Sequence, residues 1–294
     1  MPPHRRRTRS LALLGSAVVL ATAAAYAVFG GSRHGIPYIA PPGCQAGTGA
    51  EAIPMGADQA AIAATIAGVA ARDRLPQRAV TIAFAAALQE SQMHNLDYGD
   101  RDSVGIFQQR PSQGWGTTAE LEDPVYASTV FFAALVRVPG YANLPIDQAA
   151  QDVQHSADPS AYEQYAEVAD LLAGYFTGSS PAGVSCWFDP PGQADLAAAE
   201  RGLAATFGPQ GRRGVMVAIS TARSGQGKRR SVAVVRVQRD VAWTVASWLV
   251  AHAQDYGIGE VRYAGYEWTA ADGSMGWQRA SGAQGPARVS IVAG

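Results

Sequence analysis

Lysine is nearly absent from this chain of 294 residues: among 23 basic residues only Lys228 is a lysine, and the rest are arginines. Histidine is sparse as well. Its five copies, His4, His34, His94, His155 and His252, are scattered, and none pairs at ligand spacing, so neither a metal centre nor a cofactor is expected. Cysteine is confined to Cys44 and Cys186. Charged residues make up 16% of the chain with a formal net charge of −1, and that total hides a partition. Residues 1–43 hold five arginines and no acid; residues 44–190 hold 17 acidic and 6 basic residues, net −11; residues 191–294 hold 7 and 12, net +5. An acidic central region lacks the basic footprint a nucleic-acid ligand requires, so no nucleic-acid partner is expected.

What is present in quantity is apolar residue, 48% of the chain, and at this length the prior is about two domains. The basic run His4-Arg5-Arg6-Arg7-Thr8-Arg9 precedes an uncharged stretch from Leu11 to Phe29. As a helix that stretch would reach about 29 Å, long enough to cross a bilayer. Arginines stay on the cytoplasmic side, which places everything after Phe29 outside the cell. Residues 1–43 therefore read as a basic tail, a transmembrane helix and a proline-rich linker of a single-pass protein at the cell membrane. Ala25-Tyr26-Ala27 also fits a small-x-small cleavage site, so secretion after signal cleavage is the alternative.

In an exported chain an even pair of cysteines most simply forms one disulfide. Cys44 and Cys186 bracket residues 44–190, and closing so large a loop contributes roughly 4 to 5 kcal/mol by the chain-entropy argument. Between them the periodicity is helical. An alanine-rich amphipathic helix is predicted from Asp58, as N-cap, to Asp73. Pro76 then opens a helix from Gln77 to Ser91 that is apolar all round, the mark of a buried helix. Further helices are predicted near residues 124–138, 146–155 and 161–175.

The second helix ends in Gln89-Glu90-Ser91, carrying a carboxylate to the lip of an apolar core. Burial raises a carboxyl pKa, so Glu90 is the candidate general acid. Ser103 to Gln108 is a short β-prone run around Gly105, and Gln108 and Gln109 offer amides suited to sugar hydroxyls. Tyr98 and Trp115 are candidates for stacking on sugar faces, and Asp97, Asp100 and Asp102 for a second carboxylate. An ion pair with Arg101 or Arg110 is the structural alternative for Glu90.

Glu90-Ser91 followed by Gly105-Ile106-Phe107-Gln108 resembles the paired "E-S" and "G-L-M-Q" motifs of the lysozyme-like superfamily, which includes soluble lytic transglycosylases and goose-type lysozymes. Leu121 to Val138 is similar to the next helix of those transglycosylases, and the resemblance covers roughly residues 60–172. It implies a mostly α domain with a small β excursion beside the acid, and contacts to a glycan through Ser91, Ser103 and the residues named above. The "A-Y-N-x-G" motif is missing. In its place stands Ala150 to Tyr165, where Tyr162 or Tyr165 takes the part of the cleft tyrosine.

Residues 191–294, after Pro190-Pro191-Gly192, change pattern: a helix from Ala194, two β-branched runs joined by the basic loop Arg223 to Arg230, an amphipathic helix from Asp240 to Tyr256, a hairpin turning at Ala264-Gly265 and a last strand at Arg288 to Val292. This is an α+β pattern. From Trp243 on it resembles an uncharacterised domain found behind lysozyme-like modules in actinobacteria, which implies a cell-wall setting. Arg212, Arg213, Arg223, Lys228, Arg229 and Arg230 offer a basic surface for anionic wall polymers, and His252 reads as a satisfied helix histidine.

The expected activity is cleavage of the MurNAc-GlcNAc β-1,4 bond of peptidoglycan, as a lytic transglycosylase or a lysozyme. The alternatives are a non-catalytic wall-binding protein of the same fold and an accessory subunit of a membrane complex.

Overall fold

The computed structural model describes residues 41–155, 159–189, 194–208, 216–223, 229–280 and 288–293. The expected membrane segment from Leu11 to Phe29, the boundary at Pro190-Pro191-Gly192, and Arg212, Arg213 and Lys228 lie outside the described residues. Among the described residues no helix is long and apolar enough to cross a membrane.

Two antiparallel sheets and a set of helices make a mixed α+β architecture. A small sheet combines β1 (Gly43–Ala46), β2 (Ile53–Met55) and β3 (Val184–Trp187) in the order β2-β1-β3. Cys44 lies opposite Cys186 in that sheet and the two form the expected disulfide. It closes the whole helical region between them.

That region starts with α1 (Ala57–Arg72) and α2 (Gln77–Ser91). Gly56, not Asp58, is the N-cap of α1: the Gln59 side chain accepts the Gly56 N–H at 2.8 Å, while Asp58 meets His94 Nδ1 at 2.6 Å. The apolar stripe foreseen for α1 is in fact a full girdle, because every residue from Ile62 to Ala70 is buried. Alanine and glycine make this possible. A Cβ on Gly68 would stand 2.4 Å from Thr206 Cγ2, so the helix at residues 196–207 can approach only a glycine there.

Around α1 and α2 pack α3 (Pro124–Leu135), α4 (Ile146–Gln154) and α5 (Ala166–Thr177), with a 3-10 segment at Pro159–Tyr165 leading into α5. The predicted helix at 161–175 therefore begins as a tighter coil. Asp123 caps α3 through the Val125 N–H, with Pro124 in the first turn where a missing donor costs nothing.

The C-terminal part adds α6 (Leu196–Phe207), β4 (Met216–Arg223), β5 (Arg229–Arg236), α7 (Ala242–Ala251), β6 (Ile258–Tyr263), β7 (Tyr266–Thr269), β8 (Gln278–Arg279) and β9 (Arg288–Ala293). Its six strands run in the order β4-β5-β9-β6-β7-β8, so the last strand inserts between two hairpins. The hairpin at Ala264-Gly265 forms as predicted. α7 is not amphipathic. All its residues except Trp243 are buried, since it packs on β6 and β9 and also on α1 and β3. The helix breaks at His252, whose Nε2 lies 3.2 Å from Thr65 Oγ1 and whose Nδ1 lies 3.4 Å from Asp255.

Residues 41–294 form one compact unit with a continuous core. The indole N–H of Trp268 donates to Cys186 O at 2.9 Å and that of Trp277 to Val184 O at 2.8 Å, which fastens the large sheet to β3.

Candidate active site

Every residue of α2 from Ala79 to Ala87 is buried, with Phe84 edge-on to Phe176 of α5 at 5.9 Å between ring centroids. From Leu88 to Glu90 the helix is half-buried as it leaves the core. It ends abruptly. Gln92 and Met93 adopt left-handed φ values of 54° and 59°, and the Gln92 and Met93 N–H groups return to Leu88 O and Ala87 O at 3.1 and 3.0 Å. Non-glycine residues in that conformation cost on the order of 1 kcal/mol each, a strain the buried Met93 side chain offsets.

The helix end is tied to the motif-bearing loop. Ser91 Oγ donates to Ile106 O at 2.8 Å, with Ala87 O an alternative acceptor at 3.1 Å. The run from Ser103 to Gln108 is not a strand but a tight turn: Val104 and Gln109 exchange N–H···O bonds of 3.0 and 3.1 Å around it. Gly105 has φ +77°, and a Cβ there would lie 2.2 Å from Leu121 O, so the β-prone neighbours cannot extend. Phe107 stacks on Phe131 of α3 at 4.3 Å, and the Gln154 amide donates to Phe107 O at 2.8 Å.

Glu90 receives the hydroxyl of the fully buried Tyr162 on Oε1 at 2.6 Å, and the Gln154 side chain also bonds to it. Burial pushes its carboxyl above the ordinary range; the Tyr162 and Gln154 hydrogen bonds pull the other way without cancelling that effect. Among the described residues no cation pairs with it: Arg101 reaches Asp100 at 3.7 Å and Arg110 reaches Asp102 at 2.7 Å. Glu90 is thus a shielded carboxyl with neutral partners, able to hold a proton and release it.

Of the two tyrosines foreseen for this wall, Tyr162 meets the acid, and Tyr165 instead accepts from Gln92 Nε2 at 2.8 Å. The other candidates divide. Ser91 and Ser103 are buried, and the Gln108 amide faces Tyr98 O and Gly105 O, both at 3.2 Å, so these three serve the loop itself. Gln109 is buried, and among the described residues neither of its amide atoms has a hydrogen-bond partner. Tyr98 is exposed, whereas Trp115 is half-buried and packs against the core.

Asp102 differs from Glu90 throughout. The Arg110 guanidinium and the Ser112 N–H, which donates at 2.7 Å, hold its carboxyl far below the usual carboxylate range. Asp97 and Asp100 are exposed. Among the described residues no cluster of three or more His, Cys, Asp or Glu could hold a metal.

Sequence reasoning missed Gln154. It lies at the end of α4 inside Ala150 to Tyr165, the stretch that replaces the expected motif, and only its polarity at a helix terminus marks it. No protein-family model matches the chain, and no curated protein matches its sequence.

Proposed function

We propose that this protein cleaves the glycan strand of peptidoglycan at the MurNAc-GlcNAc β-1,4 bond, with Glu90 as the acid. The observation that carries the reading is a half-buried carboxyl at the end of a buried helix, bonded to a tyrosine hydroxyl and an amide and paired with no cation among the described residues. Glycoside cleavage needs a donor of that kind, because the leaving oxygen must be protonated as the sugar gains oxocarbenium character.

The state of Asp102 supports the single-carboxylate route. With both of its oxygens engaged by Arg110 and Ser112, it is poorly disposed to activate water. Glu90 then protonates the leaving C4 oxygen as the C1–O4 bond breaks. The resulting carboxylate takes the proton of the C6 hydroxyl as C1–O6 forms, giving an anhydro sugar and restoring the acid. This is a lytic transglycosylase reaction, carried out by an extracytoplasmic protein held at the membrane by its N-terminal segment.

Muropeptide analysis after incubation with purified peptidoglycan tests the reading. Anhydro ends are expected. Reducing ends would make the enzyme a lysozyme, and intact strands bound without release would leave only a wall-binding protein.

A further inference from the structure

Glu90 stands two residues before the left-handed turn that ends α2, so its carboxyl is only as fixed as that turn. Gln92 and Met93 both have positive φ without being glycine, a conformation that persists only where surrounding contacts over-determine it. On the core side the holds are the buried Met93 side chain and the Ser91 hydroxyl on Ile106 O. On the solvent side they come from a different element, the first turn of α1.

Two contacts cross from there. Gln59 Nε2 donates to Gln92 O at 2.7 Å, and Asp58 Oδ2 lies 2.6 Å from His94 Nδ1, so the turn is gripped on both flanks of Met93. The Gln59 side chain serves two elements at once, because its oxygen accepts the Gly56 N–H that caps α1 while its amide reaches the turn. The Gln92 amide donates in turn to Leu88 O at 2.6 Å and to the Tyr165 hydroxyl at 2.8 Å, which ties the same residue to the 3-10 segment that supplies Tyr162. His94 and Asp58 are 43% and 60% exposed, so as an isolated ion pair they would add little to global stability. Their place at the turn gives them another effect. If the turn relaxed, the bonds from the Gln92 and Met93 N–H groups to Leu88 O and Ala87 O would open, and Glu90 would sit on a frayed last turn, free to leave Tyr162.

We infer that Asp58, Gln59 and His94 are positioning residues for Glu90: the first turn of α1 is a brace that clamps the turn after α2 and so fixes where the carboxyl stands. The inference rests on the acid role proposed for Glu90.

Muropeptide release by the full chain tests it through kcat and KM. Gln59→Met and His94→Ala are each expected to lower kcat roughly tenfold, and both together towards the roughly hundredfold loss that a misplacement of ~1 Å brings, with KM unchanged. Two further variants separate positioning from simple loss of structure. Gln59→Glu keeps the acceptor for Gly56 N–H but has no donor for Gln92 O, so it should not restore kcat; His94→Asn keeps an N–H near the place of Nδ1 and should restore most of it. Carbon-13 NMR of the full chain labelled at its glutamate carboxyls gives a readout free of turnover. In Gln59→Met, which exchanges one neutral side chain for another, the Glu90 titration should move down towards the ordinary glutamate range as water reaches the loosened helix end. Parent-like kcat in the double variant, a loss confined to KM, or full activity of Gln59→Glu overturns the brace and leaves the enzyme standing. If the parent releases nothing, the enzyme reading falls and the titration decides the brace: a lowered Glu90 titration in Gln59→Met keeps it, and an unmoved one removes it.

Discussion

Glu90 and Asp102 lie close in sequence, on either side of the loop that follows α2, and their surroundings drive them to opposite states. Around Glu90 the walls are apolar and the partners are a phenol and an amide, so the neutral form is favoured. Around Asp102 solvent is near and the partners are a guanidinium and a backbone N–H, so the anion is favoured. The difference teaches that a carboxyl becomes an acid or a structural anion through what is packed on it, and that one short segment can hold both.

The strongest way to break this comparison is Glu90→Gln, which keeps an acceptor for Tyr162 but removes the proton. Release of muropeptides should fall by about 10²- to 10⁴-fold, the usual contribution of a general acid, with sacculus binding kept. Undiminished release would take Glu90 out of the mechanism. Tyr162→Phe should come next. Losing a buried hydrogen bond costs about 1 kcal/mol in denaturant unfolding. It also removes a donor that favours the carboxylate, so the alkaline limb of the pH-rate profile should move to higher pH.

Two changes in thermal stability sharpen the contrast, and their signs are opposite. Asp102 has a folded pKa below its unfolded one, so its stabilisation is complete above the unfolded pKa and is lost as pH falls through the folded one. Asp102→Asn should therefore melt lower than the parent at pH 7, with the gap closing below about pH 4. Glu90 has a folded pKa above its unfolded one, so its favourable state is complete below the unfolded value and is lost as pH rises through the folded value. Glu90→Gln should melt slightly higher than the parent near neutral pH and match it below about pH 4. Parallel shifts in both variants would show that the two carboxyls do not differ as described.

Much of the frame was legible beforehand because it follows from local pattern. The all-round apolar face of α2, its polar end at Glu90, the Ala264-Gly265 hairpin and the pairing of Cys44 with Cys186 follow from residue order and composition. The errors have a common origin in packing. The run after Ser103 has β-prone residues, but Leu121 O crowds Gly105 and forces a turn. α1 and α7 carry apparent stripes, but each is covered on all sides, and only small residues such as Gly68 reveal it. Gln154 carried no periodic signal, because it is recruited across the fold by Phe107 O and Glu90.

By itself the sequence determined where helices and hairpins form, which cysteines join and which carboxylate ends a greasy helix, since those depend on neighbours in the chain and on hydrophobic period. Only the tertiary structure decided that Tyr162 and Gln154 meet that carboxylate, that Arg110 holds Asp102 rather than Glu90, and that the final strand fills the middle of the large sheet. Contacts between distant residues set desolvation and hydrogen bonding, and those two effects, not residue identity, fix which group keeps its proton.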